Sequence, residues 1–111
     1  MRSHYQSMWM FVCFDLPVVS KKDRKIATKF RNALLDVGFA MMQFSVYIKY
    51  CGSRERVERY ISFLKTEVPE KGNVSVFVFT DKQFGDAKVL YGTKKYDDKK
   101  TPEKNEQLSL F

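Results

Sequence analysis

Seven consecutive apolar residues, Met8-Trp9-Met10-Phe11-Val12-Cys13-Phe14, run into Asp15-Leu16-Pro17. A run this short and continuous predicts a central strand with apolar residues on both faces. Pro17 ends it, because proline lacks the N–H a ladder needs. An apolar two-faced strand cannot stand alone, so the rest of the chain must supply a sheet and a cover for each face.

Ser20 is placed to cap a helix, and Asp23 three residues on makes a capping-box-like pair. Ile26, Phe30, Leu34 and Val37 then recur at helical spacing as one apolar stripe, and Gly38 is suited to the left-handed helix end. Residues 39–43 and 45–51 read as two short strands. No Asn-Gly or Gly-Gly joins them, so a bend around Gln43 and Phe44 is expected rather than a tight hairpin. Gly52-Ser53 opens a second helix whose buried face is Val57, Tyr60, Ile61, Leu64 and Val68, with Arg54, Arg56, Glu58 and Arg59 largely in water. Pro69-Glu70-Lys71-Gly72 is a turn. Val74, Val76 and Val78 alternate with Ser75, Phe77 and Phe79 in a strong strand signal. After a connection over residues 81–86, a short fifth strand is expected over residues 87–91.

The order strand, helix, strand, strand, helix, strand is the split βαβ, ferredoxin-like α+β arrangement, a four-stranded antiparallel sheet with both helices on one face. Apolar residues on both faces of the first and fourth strands then call for a second subunit, sheet against sheet. The domain is expected to span residues 1–92. Residues 93–111 read as a solvated, charged C-terminal tail, rich in Lys, Asp, Glu, Thr and Asn, that ends abruptly apolar at Leu108-Ser109-Leu110-Phe111.

At 111 residues the chain is one domain and little else, with a net charge of +7. Such a charge points to a polyanionic partner, nucleic acid first and an anionic membrane surface second. The cations concentrate in the predicted domain, where 15 of the 20 Lys and Arg meet 9 of the 13 Asp and Glu. The densest segment is the start of the first helix: Lys21, Lys22, Arg24, Lys25, Lys29 and Arg31 against the single acid Asp23. These cations are expected on the same side of the sheet as Asp15, beside the free N–H groups of a helix start, a setting that suits phosphate. Lys21, Lys22, Arg24, Lys25 and Arg31 are the candidate backbone contacts, sequence-blind in character. The alternative for each is a solvated helix face, and Arg31 is equally suited to pairing with Asp36. Phe44 is expected in the core, with a substrate-facing position as the alternative. Phe77, Phe79 and Tyr47 are arranged like the base-stacking aromatics of an RNA-binding sheet, though burial in a dimer accounts for them better.

Cys13 and Cys51 form no CxxC pair, and with His4 they fall short of a zinc ligand set. Buried thiols are the simpler reading. A single histidine near the N-terminus leaves no Ser-His or Cys-His catalysis, so any chemistry must come from carboxylates, cations and a metal. Asp15 is the candidate catalytic and metal-binding carboxylate; the alternative is a strand-end turn residue. No apolar stretch approaches the ~20 residues that span a bilayer, and a soluble, cytoplasmic protein is expected.

The pattern Phe11-Val12-Cys13-Phe14-Asp15-Leu16-Pro17, a Lys-rich helix start, Phe30-Arg31, Leu35, Gly38-Phe39 and Gln43-Phe44-Ser45-Val46-Tyr47 resembles the CRISPR-associated (Cas) protein two family, over residues 8–91. Thr80-Asp81-Lys82-Gln83-Phe84 resembles the versions found beside type II systems. The resemblance implies a protein of spacer acquisition: a two-fold homodimer whose short last strand crosses to the partner's sheet, working with the CRISPR integrase. It also implies that two copies of Asp15 face one another and share one Mg²⁺, a donor set that physics favours over a lone carboxylate. Metal-dependent cleavage of RNA or double-stranded DNA is one implied activity. A non-catalytic DNA-bridging scaffold is the other, and a small RNA-binding module is the third reading of the residues. The ending Gln107-Leu108-Ser109-Leu110-Phe111 is similar to the pentapeptide by which many bacterial proteins dock into the replication sliding clamp. Gln107, Leu108, Leu110 and Phe111 are therefore docking candidates, for the integrase or for the clamp, unless the segment has no partner.

Overall fold

A computed structural model describes residues 7–88 and 90. Its elements follow the order β1 (Met8–Asp15), α1 (Lys21–Asp36), β2 (Ala40–Gln43), β3 (Val46–Tyr50), α2 (Arg54–Glu67), β4 (Asn73–Thr80) and α3 (Asp81–Gly85). The sheet order is β2-β3-β1-β4, and every pairing is antiparallel. This is the expected ferredoxin-like α+β fold, with β1 in the interior between β3 and β4.

The helix starts form as their sequences dictate. The Ser20 hydroxyl accepts the Asp23 N–H at 3.0 Å and the Asp23 carboxylate accepts the Ser20 N–H at 3.3 Å, closing a capping box. Ser53 caps α2 by accepting the Arg56 N–H at 3.2 Å. Gly38 follows α1 at a φ of 98°, the left-handed geometry that releases the chain toward β2.

Period-two geometry divides β1. Met8, Met10, Val12 and Phe14 are buried on the helix-covered face, in one core with Phe30, Leu34, Phe39, Tyr47, Cys51, Val57 and Leu64. Trp9, Phe11 and Cys13 face the other way and are only half-buried, so the single chain covers one face of the strand fully and the other in part. The α1 stripe differs from expectation at one place. Ile26 is 40% exposed and Ala27 takes the buried position beside Phe30 and Leu34.

The joint between β2 and β3 corrects the sequence reading. It is a tight two-residue hairpin, Phe44-Ser45, closed by the pairing of Gln43 with Val46. Ser45 adopts a φ of 68°, the left-handed region more usual for glycine or asparagine, and the ladder shifts register between Met41 and Gln43. Phe44 is consequently at the turn and 77% exposed, not in the core. Tyr47 is corrected in the opposite sense. It is buried on the helix side against Phe14, at a ring separation of 5.6 Å, and takes no part in the open sheet face.

The expected connection over residues 81–86 contains the short helix α3, capped by a second capping box between Thr80 and Gln83. It folds over the face of the sheet opposite α1 and α2. Phe84 is buried there, stacked on Trp9 at 4.2 Å and edge-on to Phe11 at 5.4 Å. The Trp9 indole N–H donates to Asp81 Oδ1 at 2.8 Å, and the Asp81 N–H donates to the Ser7 carbonyl at 2.7 Å. Ala87, Lys88 and Leu90 form no strand in the single chain, and Leu90 is 90% exposed. The tail at 93–111, with its docking candidates, lies outside the described residues.

Candidate nucleic-acid interface and catalytic carboxylate

Asp15 is the last residue of β1 and pairs with Asn73, the first of β4. Register places both on the open face with Trp9, Phe11, Cys13, Ser75, Phe77 and Phe79, and Asp15 is exposed. Three separate segments meet this end of β1. The α2–β4 loop presses on it at Gly72, which has a φ of 97°; a Cβ there would lie 2.7 Å from the Asp15 carbonyl oxygen and 2.8 Å from Leu16 Cδ2. The β2–β3 turn is pinned to it where the Phe14 N–H donates to the Ser45 carbonyl at 3.1 Å. The stretch from Leu16 to Ser20 then leads to the start of α1. Gly72 is a positioning residue that sequence reasoning took only for part of a turn. Glycine before a strand was the visible signal, but the backbone it touches belongs to a segment more than fifty positions away.

The cations of α1 gather at the same end of the sheet but behind the opposite face, so the expectation of a shared side is corrected to a shared edge. Odd-numbered β1 residues, Asp15 included, point away from α1 and α2. Lys21, Lys22, Lys25 and Lys29 are exposed. Lys21, Arg24, Lys25 and Lys29 line one groove along α1, closed on its far side by Phe63 and Glu67 of α2. A second cleft, between Leu16, Pro17, Ile26 and Val68, has Lys22 and Lys71 at its walls. Arg24 is partly committed. Its Nη1 donates to the carbonyls of Val18 at 3.2 Å and Val19 at 3.0 Å, so it ties down the connection between β1 and α1. Arg31 does not pair with Asp36. Its Nη2 donates to Thr28 Oγ1 at 3.3 Å and its guanidinium lies over the Phe44 ring, 5.7 Å from the centroid.

Cys51 is buried, and burial pushes its thiol up to about 11, with Lys49 and Arg56 pulling weakly the other way. Cys13, half-buried on the open face, is raised by burial as well. Neither is a candidate nucleophile at neutral pH, which agrees with the sequence reading.

Among the described residues no three His, Cys, Asp or Glu side chains gather as a metal site. Asp15 offers the hard carboxylate oxygen that Mg²⁺ prefers, and Asn73 stands opposite it in the ladder with an amide oxygen. The donor type fits a magnesium ion, and among the described residues this end of the sheet supplies one carboxylate, Asp15, beside the Asn73 amide. No helix among the described residues is long and apolar enough to cross a membrane.

The family model for CRISPR associated protein Cas2 matches residues 8–87. A protein of Flavobacterium psychrophilum named CRISPR-associated endoribonuclease Cas2 is 45% identical over 109 residues, covering 98% of this chain and 92% of its own. Its namesake in Paracidovorax avenae is 46% identical over 111 residues, all of both chains, and one in Parvibaculum lavamentivorans is 41% identical over 104 residues, 94% of this chain and all of its own. With the ferredoxin-like sheet, the carboxylate ending its central strand and these matches along the chain, the protein belongs to the CRISPR-associated Cas2 family.

Proposed function

We propose that the chain is a Mg²⁺-dependent endonuclease of the CRISPR apparatus, acting on RNA as a homodimer. The observation that carries this reading is the position of Asp15: an exposed carboxylate on an open, aromatic sheet face, at the edge where the α1 cations begin. The name endoribonuclease borne by the relatives supports RNA as the substrate.

The open face supports the dimer. α3 already covers its far part through Phe84, whereas Phe77, 50% exposed, lies uncovered on β4 between Phe79 and the Asp15 end. A second copy seated there brings two Asp15 carboxylates toward one axis and completes the donor set that one chain leaves at half. The exposed Leu90 supports exchange of the segment at residues 87–91 onto the partner's sheet. A magnesium ion held this way supplies positive charge for the scissile phosphate and a more acidic water. Asp15 holds and orients, Gly72 keeps its backbone in place, and Lys21, Lys22 and Lys25 draw the sugar–phosphate strand to this edge. In the hydrolysis, water oxygen bonds to phosphorus, the P–O bond to the leaving sugar breaks, and the leaving oxygen takes the proton.

The test is cleavage of RNA and duplex DNA by the dimer with and without Mg²⁺. Asp15→Ala should lose at least about 10²-fold in rate, the scale of a removed catalytic group, with nucleic-acid affinity retained. An Asp15→Ala protein that cleaves as fast as the parent ends this reading.

A second reading is favoured by the one-carboxylate site and by the groove on α1 where Lys21, Arg24, Lys25 and Lys29 outnumber Asp36 and Glu67: a cytoplasmic, non-catalytic scaffold of spacer acquisition, of the type II kind, bridging DNA to the integrase. In that role Asp15→Ala still supports integration. Charge reversal at Lys21 and Lys22 abolishes it. Gln107, Leu108, Leu110 and Phe111 would dock the tail onto the integrase or the sliding clamp. Pull-down of each by the chain with and without residues 107–111 separates the two, and equal recovery rules out docking.

A further inference from the structure

Among the described residues, the β2–β3 turn holds an aromatic ring largely in solvent. Phe44 is 77% exposed, yet its backbone is firmly placed. The ladder closes beneath it at Gln43 and Val46, Ser45 holds the left-handed φ of 68°, and the Ser45 carbonyl accepts the Phe14 N–H at 3.1 Å. One side of the ring carries the Arg31 guanidinium at 5.7 Å, itself anchored on Thr28. A guanidinium has five N–H donors, and a single bond to Thr28 leaves others to spare. The cation–π contact at an exposed site is weak, so it orients the ring without covering it. Phe14, to which the turn is bonded, immediately precedes Asp15.

We propose that Phe44 and Arg31 form a nucleotide-stacking platform, on which an unpaired base lies against the ring while its adjoining phosphate meets the guanidinium. The inference rests on the nucleic-acid reading above and deepens it by naming the form of substrate. Base faces inside a duplex are occupied by their neighbours, so a rigid solvent-facing ring can be used only by a single strand or a frayed end. The platform stands at the Asp15 end of the sheet, on the α1 side, so a strand stacked on Phe44 is held at the edge that Asp15 occupies from the other face. The α1 cations contact backbone of either kind and do not discriminate; the ring does.

The test is fluorescence anisotropy with labelled oligouridylate and with a dumbbell DNA duplex whose ends are closed, at one salt concentration. Phe44→Ala should weaken oligouridylate binding by about 5- to 150-fold, the range of one lost base stack, and dumbbell binding by less than about twofold. Phe44→Trp should restore the affinity and Phe44→Leu should not, since leucine keeps the apolar surface but lacks a π face. The salt dependence should be unchanged in Phe44→Ala and shallower in Lys21→Ala, because only the latter loses a phosphate contact. Thermal unfolding of each variant confirms that it is folded. Equal loss on both probes, full affinity in Phe44→Leu, or no change in Phe44→Ala overturns the platform, the last assigning the ring to a protein partner. Failure of the unsubstituted protein to bind either probe overturns the nucleic-acid reading and the platform with it.

Discussion

Met8, Met10, Val12 and Phe14 are sealed beneath α1 and α2, whereas Trp9, Phe11 and Cys13, one residue out of phase on the same strand, stay half-buried, with α3 reaching only Trp9 and Phe11 through Phe84. The helix-covered face is filled from within the chain. The other face carries side chains just as apolar and leaves part of them uncovered, with Asp15 at its edge. One face holds the domain together. The other is the face the proposed dimer uses, and there the chain's own α3 leaves uncovered the end where the carboxylate lies.

Truncating one large aromatic on each face breaks this comparison most directly. Phe30→Ala removes a fully buried ring and should cost about 3–5 kcal/mol of unfolding free energy by denaturant titration. Phe77→Ala should cost less than about 1 kcal/mol in a monomer, while shifting the sedimentation profile from dimer toward monomer. Comparable losses from both would erase the distinction between the faces.

Gly72→Ala tests how the open face's edge is held. The left-handed φ and a Cβ that would sit 2.7 Å from the Asp15 carbonyl oxygen both oppose the change. A stability loss of about 1–3 kcal/mol is expected, with a fall in cleavage greater than Phe77→Ala produces at a concentration that keeps both dimeric. Unaltered stability and cleavage would show that the loop does not position Asp15.

The thiols give the smallest effect. The Cys51 thiol is raised from an ordinary 9.0 to about 11 in the folded state, so the native state holds its proton more tightly. That stabilisation is complete below pH ~9 and is lost as the pH rises from there through about 11. Unfolding midpoints should therefore fall over this window in the parent and less steeply in Cys51→Ala. At lower pH, alkylation should reach half-buried Cys13 before Cys51.

The order of elements, the interior strand and both helix caps were legible in the sequence because each has a local cause: a period, a Ser with Asp three residues on, a glycine after a stripe. The features missed depend on distant partners. A serine took the positive φ of the β2–β3 turn, which no local motif announced, and with it Phe44 moved from the expected core to the surface. Arg24 turned back onto the Val18 and Val19 carbonyls, although its charge alone suggested phosphate. The face that Asp15 occupies followed from counting parity along β1 against the buried Met8, a reading that required knowing which face the helices take. α3 escaped notice because five residues give too little of a helical pattern.

In the proposed dimer, a centre built from one Asp15 per chain has a consequence for populations of molecules. A centre divided equally between two identical chains works only when both halves are sound, so in a mixed pool its output follows the square of the intact fraction. Asp15→Ala chains that still pair would then poison the unaltered ones they meet, and a cell carrying both versions would lose more activity than the share of altered chains alone would suggest.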